Sequence, residues 1–599
     1  MVTKPAIVIL QASAHDLAGT IAAAVDGQVH GPESAGAAKT YTKFADHLRA
    51  LFAGGIPIIG ICATGILVRI LSSELGDKTA EPAVIAVSED GASIVPVLGG
   101  HNGANRLAAQ IAEATSGHAA ITTASDTAFG IALDDPPDGY VLANREHIKP
   151  FVTALLAGAA VEMNGEAAWL ADAFPPAPRG EEPEVEKLTI TTTTSRIAGG
   201  PDHLVYHPKT LTLGIGCERG AEAAGLIAHV EDTLKRAEIA PASIAMVASI
   251  DLKSDETAIH ALARRLDVPA RFFTADQLNA EAARLAKPSD IVMAEVGCPG
   301  VAEGAALASA GADAGLLVEK SVANRTTCAI ARRPDPITEL AGTPQGRLFV
   351  IGIGPGTPDW RSPAATLALQ TATDWVGYGL YLDLVEDLLT GQTEHRFPLG
   401  GEEDRVRHAI NQAAMGKDVA LICSGDAGIY AMAALVYEVL DLEPQRIAVD
   451  VIPGISAFQA AAARAGALIG HDFCCISLSD LLTPWEVIET RLKAAAEGDF
   501  VTAFYNPRSL KRTTQLARAI EVLSPYRTPH TPVVIASSLG RPDEAVRIVP
   551  LKDFNPQDVD MLTLVMVGAS QSQTVTRGDG QTYAYTPRGY AKKRQDLAS

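Results

Sequence analysis

Cysteine pairs are what this sequence most clearly lacks. Its seven cysteines are scattered, none forms a C-x-x-C pair, and only Cys474 and Cys475 are neighbours. Such usage argues against a disulfide frame or a structural zinc module and predicts reduced thiols in a cytoplasmic protein. Long hydrophobic runs are missing too. No stretch approaches the roughly 20 apolar residues of a membrane-spanning helix, and the apolar run at residues 6–10 is too short for a secretion signal. Positive charge is in deficit: 49 Lys and Arg against 70 Asp and Glu give a formal net charge of −21. That balance argues against nucleic acid or an anionic membrane as the main partner, but not against an anionic small molecule. Aromatics are sparse at 5%, whereas hydrophobic residues reach 47% and charged ones 20%, the make-up of globular α/β material. A chain of 599 residues exceeds one core and predicts several domains.

What is present is one pattern repeated: a short apolar run, a glycine turn, then a helix. The clearest case is residues 348–359, LFVIGIGPGTPD. Its β-branched run reads as a strand buried on both faces, and Gly352, Gly354 and Gly356 let the backbone turn sharply. A dinucleotide loop is the first rival. Thr357 stands where its third glycine belongs, and Pro355 removes an amide a pyrophosphate would use, so that reading is set aside. Two more predicted strands, 418–423 and 449–452, feed the loops SGDAGIY (424–430) and PGISAF (453–458). Three such loops at neighbouring strand ends would build one cleft of backbone amides and small side chains.

The front of the chain alternates similarly. Residues 56–68 read as a strand turning at Thr64-Gly65 into a helix, and predicted strands at 83–87 and 93–97 precede the turn Gly99-Gly100-His101-Asn102-Gly103, which opens another helix. A histidine beside unpaired helix N–H groups could serve an oxyanion, although His101 and Asn102 also suit a plain turn. Residues 136–208 lose the alternation and carry a proline-rich acidic stretch, which predicts a small middle module with an exposed linker face. His203 and His207 lie four apart without the acidic partner of a metal motif, so no metal site is expected. From 211 the alternation returns, with predicted strands at 211–215, 243–250, 271–273, 291–295 and 315–319. Their turns would gather Arg219, Lys253 and Lys320 into a positive set, unless these are ordinary surface charges.

The order of the three glycine loops resembles the S-adenosylmethionine-dependent tetrapyrrole methyltransferase family. The stretches GHDFCCISLSDLLTPW (470–485) and FYNPRS (504–509) are similar to its precorrin-3B C-17 branch. The segments ICATGILVR (61–69), 99–105, 214–220 and 297–302 resemble cobalt-precorrin-5A hydrolase. These likenesses imply a multidomain α/β chain, with doubly wound hydrolase-like domains ahead of a two-subdomain methyltransferase fold. Its expected parts are 1–135, a middle module at 136–208, 209–333, a linker at 334–346, the methyltransferase at 347–570, and a tail at 571–599.

The resemblance implies S-adenosylmethionine as cofactor, held by Gly354, Pro355, Gly356, Ser424, Gly425, Asp426, Ile429, Ser456, Ala457, Tyr505 and Asn506. Many relatives carry proline where this chain has Ala427. The implied partners are tetrapyrrole precorrins, with a second copy of the chain as a homodimer. The implied reactions are C-17 methylation with ring contraction, and lactone opening with acetaldehyde release. Loss of a ring proton needs a base, for which His471, Asp472 and Asp480 are candidates, although His471-Asp472 also reads as a simple turn. For lactone opening the candidate is His101, with Arg69, Arg106, Arg219 and Lys253 expected to grip substrate carboxylates. A front half that only binds a corrinoid is the alternative. A protein-modifying diphthine-type methyltransferase shares the back half's fold, and the 470–485 stretch speaks against it.

Overall fold

The computed structural model describes residues 4–37, 39–76, 81–123, 128–171, 173–174, 187–389, 391–509 and 511–590. The chain divides into two compact units, Met1–Gln345 and Gly346–Ser599.

The first unit opens on a seven-stranded sheet in the order Lys39–Tyr41, Gln28–Pro32, Ala6–Ile9, Ile58–Ile61, Val84–Val87, Ser93–Leu98, His118–Ala119. The central strands AIVI, IIGI and VIAV are buried on both faces, as parallel strands between helices must be. Ile7, Ile9, Ile59 and Ile61 pack under the helices His15–Val25 and Ala104–Thr115. Ala6, Val8 and Ile58 pack under Phe44–Ala53 and Thr64–Leu71 on the other face.

A histidine pair closes one edge of this sheet. His30 Nδ1 lies 2.8 Å from His47 Nε2, and the Tyr41 ring stacks on His47 at 5.2 Å. Burial, then His47, then Lys39 hold the His30 pKa down to about 3. Burial and Lys39 hold His47 at about 4. Between those values and the unfolded pKa of about 6.5, the unfolded chain binds more protons than the folded one. Stability therefore rises with pH across that window, is complete above it, and is lost as pH falls. Thermal melts from about pH 7 to about pH 5 are expected to show this decline, flattened in His47→Gln. An unchanged slope in the variant would assign the decline to other groups.

The middle region is better built than its sequence suggests. Tyr140–Leu142, His203–Pro208, Lys187–Thr192 and Ala160–Asn164 form a four-stranded sheet in that order. Phe151, Leu170, Ile190, Leu204 and Tyr206 make its core. His203 and His207 are hydrogen-bonded within it, to Thr191 Oγ1 at 2.8 Å and the Thr193 carbonyl at 2.7 Å. The acidic residues 181–186 lie outside the described residues.

The next sheet runs Ala270–Phe273, Ile244–Ile250, Leu211–Cys217, Thr326–Arg332, Gly315–Ala323. Its first three strands are parallel, and the last two form an antiparallel hairpin against them. Residues 291–295, expected as a strand, lie in the helix Asp290–Val296. Ser289 Oγ accepts the Val292 N–H as its cap, Gly297 ends it in a left-handed conformation, and Ile291 is 73% exposed. The linker expected at 334–346 is docked rather than free: Ile337 is buried beside Met246, and Phe272 and Thr343 exchange backbone hydrogen bonds of 2.8 and 2.9 Å.

The second unit holds two five-stranded sheets. The first is parallel throughout, in the order Thr393–Phe397, Asp374–Tyr378, Asp418–Cys423, Arg347–Gly352, Ala448–Ile452. The second, Phe473–Ser477, Val501–Tyr505, Thr563–Val567, Pro532–Ser537, Ala545–Pro550, is antiparallel after its first pair. Behind it, the fully buried Arg527 side chain donates to the carbonyls of Gly568 (2.8 Å), Ala496 (3.4 Å), Tyr526 (3.1 Å) and Phe500 (2.9 Å), and meets Asp499 at 2.7 Å. The described residues beyond 570 are built into the fold, where a tail was expected at 571–599. Gln573–Thr576 and Thr582–Tyr585 form a hairpin that pairs with Gly466–Ala467, and Ala584 is fully buried.

Candidate functional site

The three glycine loops leave adjacent strands: Asp418–Cys423, Arg347–Gly352 and Ala448–Ile452 lie side by side. Their backbones touch. Gly354 N–H donates to the Gly425 carbonyl at 3.1 Å, and Gly425 N–H donates back at 2.8 Å. A Cβ at Gly352 would meet Gly425 O at 2.6 Å, Gly454 N at 2.8 Å and Ala427 N at 2.9 Å. One at Gly454 would run into the Gly425 carbonyl and lie 2.6 Å from that of Gly352. Asp426 ties the junction: Oδ1 accepts the Gly428 N–H at 2.8 Å and Oδ2 the Gly454 N–H at 3.1 Å. Its carboxylate therefore shapes the loops.

From the facing sheet, Tyr505 accepts the Phe458 N–H on its hydroxyl at 3.3 Å, and burial pushes its pKa up to about 12. Tyr430, at φ 52°, packs against Tyr505 at 5.1 Å and donates to the Cys475 carbonyl at 2.8 Å. Asn506, also left-handed at φ 49°, donates to Ser477 Oγ at 3.1 Å.

These elements enclose a cavity of about 400 Å³. Pro355, Ser424, Gly425, Asp426, Ile429, Ser456, Ala457, Tyr505 and Asn506 all line it. Gly354 and Gly356 are not on its wall. They are bare because neighbours press on them: a Cβ would lie 2.6 Å from Trp360 O at Gly354, and 2.6 Å from Gly540 O at Gly356. Tyr378, Tyr381, Arg405, Arg541 and Thr563 also face the cavity, none of them signalled by a motif. Cys423 is on the wall as well, and burial pushes its thiol up to about 11, so it stays protonated.

The candidate bases are elsewhere. His471 is 59% exposed, and its Nδ1 accepts the N–H of its neighbour Asp472 at 2.9 Å, the local turn bond such a pair favours. Asp480 accepts from Gln515 Nε2 at 2.9 Å and lies 3.9 Å from Arg512 Nη1. Neither is on the cavity wall.

In the first unit, His101 sits in the 3₁₀ turn Gly100–Asn102, between Gly99 and Gly103, which are both left-handed. The helix itself starts at Ala104, three residues later, and the His101 side chain lies outside the described residues. Arg219 and Lys253 converge on the buried Glu256, at 3.5 and 3.9 Å, and Arg219 also binds Asp255 at 2.6 Å. Lys320 donates instead to the Lys287 carbonyl at 2.8 Å. Arg106 pairs with Asp138 at 3.3 Å, and Arg69 lies in the last turn of Thr64–Leu71. Among the described residues, no group of three or more His, Cys, Asp or Glu is placed to hold a metal ion, and no single helix is long and apolar enough to cross a membrane.

The family described as Tetrapyrrole (Corrin/Porphyrin) Methylases matches residues 347–555. Over 256 residues the chain is 40% identical to the precorrin-3B C(17)-methyltransferase of Sinorhizobium sp., covering 99% of that protein and 42% of this chain. The chain belongs to the tetrapyrrole methylases. It is also 45% identical over 253 residues to the cobalt-factor III methyltransferase of Priestia megaterium, covering 42% of this chain and 46% of that one, so it spans about half the length of that curated relative. The solved structure of the methyltransferase CobJ is 42% identical, with 40% of this chain and 100% of that chain covered and a TM-score of 0.38. Two further families match the first unit: Cobalamin synthesis G N-terminal at 46–126 and Cobalamin synthesis G C-terminus at 211–331. The methylase match contains all three glycine loops, while Met561, Leu562, Thr563 and Leu564 extend the cavity wall beyond it.

Proposed function

We propose that this tetrapyrrole methylase uses S-adenosylmethionine to methylate C-17 of precorrin-3B or cobalt-factor III with ring contraction, and that its first unit opens the lactone of cobalt-precorrin-5A with release of acetaldehyde. The observation that carries the first reaction is the interlocked triple-loop junction flooring a cavity of cofactor size. Its residues fit the donor: small side chains at Ser424, Gly425, Ser456 and Ala457, and the Tyr505 ring as an apolar wall. When bound, S-adenosylmethionine supplies an electrophilic methyl group on a positive sulfur. The chain's contribution is to fix that group against a ring carbon and to keep water out. Asp426 acts through the loops, since both its oxygens are held by backbone N–H groups. Tyr430 and Tyr505 tie the two sheets together across the opening.

The second reaction is supported by the two Cobalamin synthesis G matches in the first unit. There His101 is proposed as the proton-transfer group, on a turn held by two left-handed glycines.

The test uses the full chain. Incubation with S-adenosylmethionine and precorrin-3B or cobalt-factor III is expected to yield the methylated, ring-contracted product by mass spectrometry. Incubation with cobalt-precorrin-5A is expected to release acetaldehyde, read by a coupled alcohol dehydrogenase, and His101→Ala is expected to abolish that release. No methyl transfer to either tetrapyrrole would overturn the first reading. Corrinoid binding without acetaldehyde would make the first unit a binding module.

A further inference from the structure

Two arginines on the cavity wall are left unexplained by donor binding. Arg405, in the helix Glu402–Ala414, is only 3% exposed. One of its nitrogens, Nη2, donates to the Pro398 carbonyl at 3.0 Å, but its Nε is buried with no hydrogen-bond partner. Arg541 follows the strand Pro532–Ser537, and its Nε is likewise buried and unpartnered. Neither guanidinium makes an ion pair among the described residues, unlike Arg361, which meets Asp387, or Arg527, which meets Asp499.

The surroundings keep a place open at these groups. Tyr381 shares the wall; burial raises its phenol pKa, and the charges of Arg541 and Arg405 oppose that rise. A Cβ on Gly356 would lie 2.9 Å from Arg541 Cγ, so the first glycine loop is bare where this side chain passes. The nearby carboxylates are engaged: Glu402 Oε1 takes the Gly400 N–H at 3.2 Å, and Asp426 holds the loops. A buried guanidinium is costly without an anion, and its planar fork matches a carboxylate.

We propose that Arg405 and Arg541, with the Tyr381 hydroxyl, form a carboxylate-binding site in the cavity. The inference rests on the methyl-transfer reading of this cavity. Two ligands expected there carry carboxylates, the aminoacyl end of the donor and the acid side chains of the tetrapyrrole. Either pairing gives an acidic protein the local cations that receive an anion.

The full-length protein and its Arg405→Gln, Arg541→Gln and Arg541→Lys variants distinguish the sources. Calorimetry is run with S-adenosylhomocysteine, which has the carboxylate, and with methylthioadenosine, which lacks it. KM is measured for the tetrapyrrole. If the donor's carboxylate binds here, both Gln variants lose affinity for S-adenosylhomocysteine by about ten- to a hundred-fold and keep it for methylthioadenosine. If a tetrapyrrole acid binds here, donor affinity holds while KM rises by a similar factor. In each case Arg541→Lys, a charge without the fork, restores part of the loss. Folded Gln variants that match the wild type in both measurements would overturn the carboxylate site and leave the methyl-transfer reading intact. A wild-type protein that binds no S-adenosylhomocysteine would overturn that reading, and this inference with it. Should Arg405→Gln fail to fold, the less buried Arg541→Gln carries the test.

Discussion

Gly454→Ala is expected to abolish S-adenosylhomocysteine binding, by more than about a hundred-fold, while the protein stays folded. The added methyl has nowhere to go. It would meet the carbonyls of Gly425 and Gly352, and both belong to backbone that cannot swing aside as a side chain does. Relief must come from parting the third loop from the other two. That breaks the Gly454 N–H bond to Asp426 and shifts Ser456 and Ala457, which line the cavity. Overpacking of this kind costs about 1–3 kcal/mol, a modest drop in Tm against a large loss of binding. Gly401→Ala, whose new methyl would find no atom closer than 3.6 Å, is the matched control and is expected to change neither. Calorimetry showing wild-type affinity in Gly454→Ala would mean the loop junction does not shape the donor site.

Arg527→Met is expected to be the most damaging single change to stability in the second unit, about 3–5 kcal/mol. Methionine fills the volume but cannot donate, so carbonyls of Ala496, Phe500 and Gly568 lose their partner and Asp499 loses its counter-charge. These groups lie at the end of the helix Trp485–Glu497, before the strand Val501–Tyr505, and after the strand Thr563–Val567. Scanning calorimetry reads the result as a Tm lower by several degrees. Asp499→Asn, removing only the more exposed partner, is expected to cost a fraction of that. Equal losses in both variants would show that the ion pair, not the carbonyl cage, holds this corner.

The sequence displayed those features that are local in the chain. A run such as Leu348, Phe349, Val350, Ile351 can only be a strand covered on both sides, and the glycines after it forecast a backbone crossing that the Gly352 and Gly454 contacts explain. Apolar runs were misleading where capping decided the outcome: Ser289 and Gly297 bracket Ile291–Glu295 into a helix, although the run itself suits a strand equally well. The hairpin of residues 573–585 was missed because the strand Gln573–Thr576 is exposed along its whole length, so no alternation marks it. The turn residues Gly578-Asp579-Gly580 were the available signal. Arg405 and Arg541 were invisible for a different reason. One sits on a helix otherwise rich in charge and the other in a turn, and only the fold brings both to one wall.

That hairpin also bears on the order of events during synthesis. Its strand Thr582–Tyr585 pairs with Gly466–Ala467, directly after the helix Ala457–Ala465 that begins at the third glycine loop. The Thr586 hydroxyl donates to the Leu468 carbonyl across a separation of 118 residues. Ala584 shares a core with Phe458, Ala461 and Ala465 of that helix. Closing so long a loop is slow, and the helix beside the glycine-loop cavity gains its last cover only when residues near 584 have been made. A ribosome halted after Leu564 but before residue 584 holds the whole cavity wall with one side of its supporting helix still bare, an exposed apolar face of the kind chaperones bind.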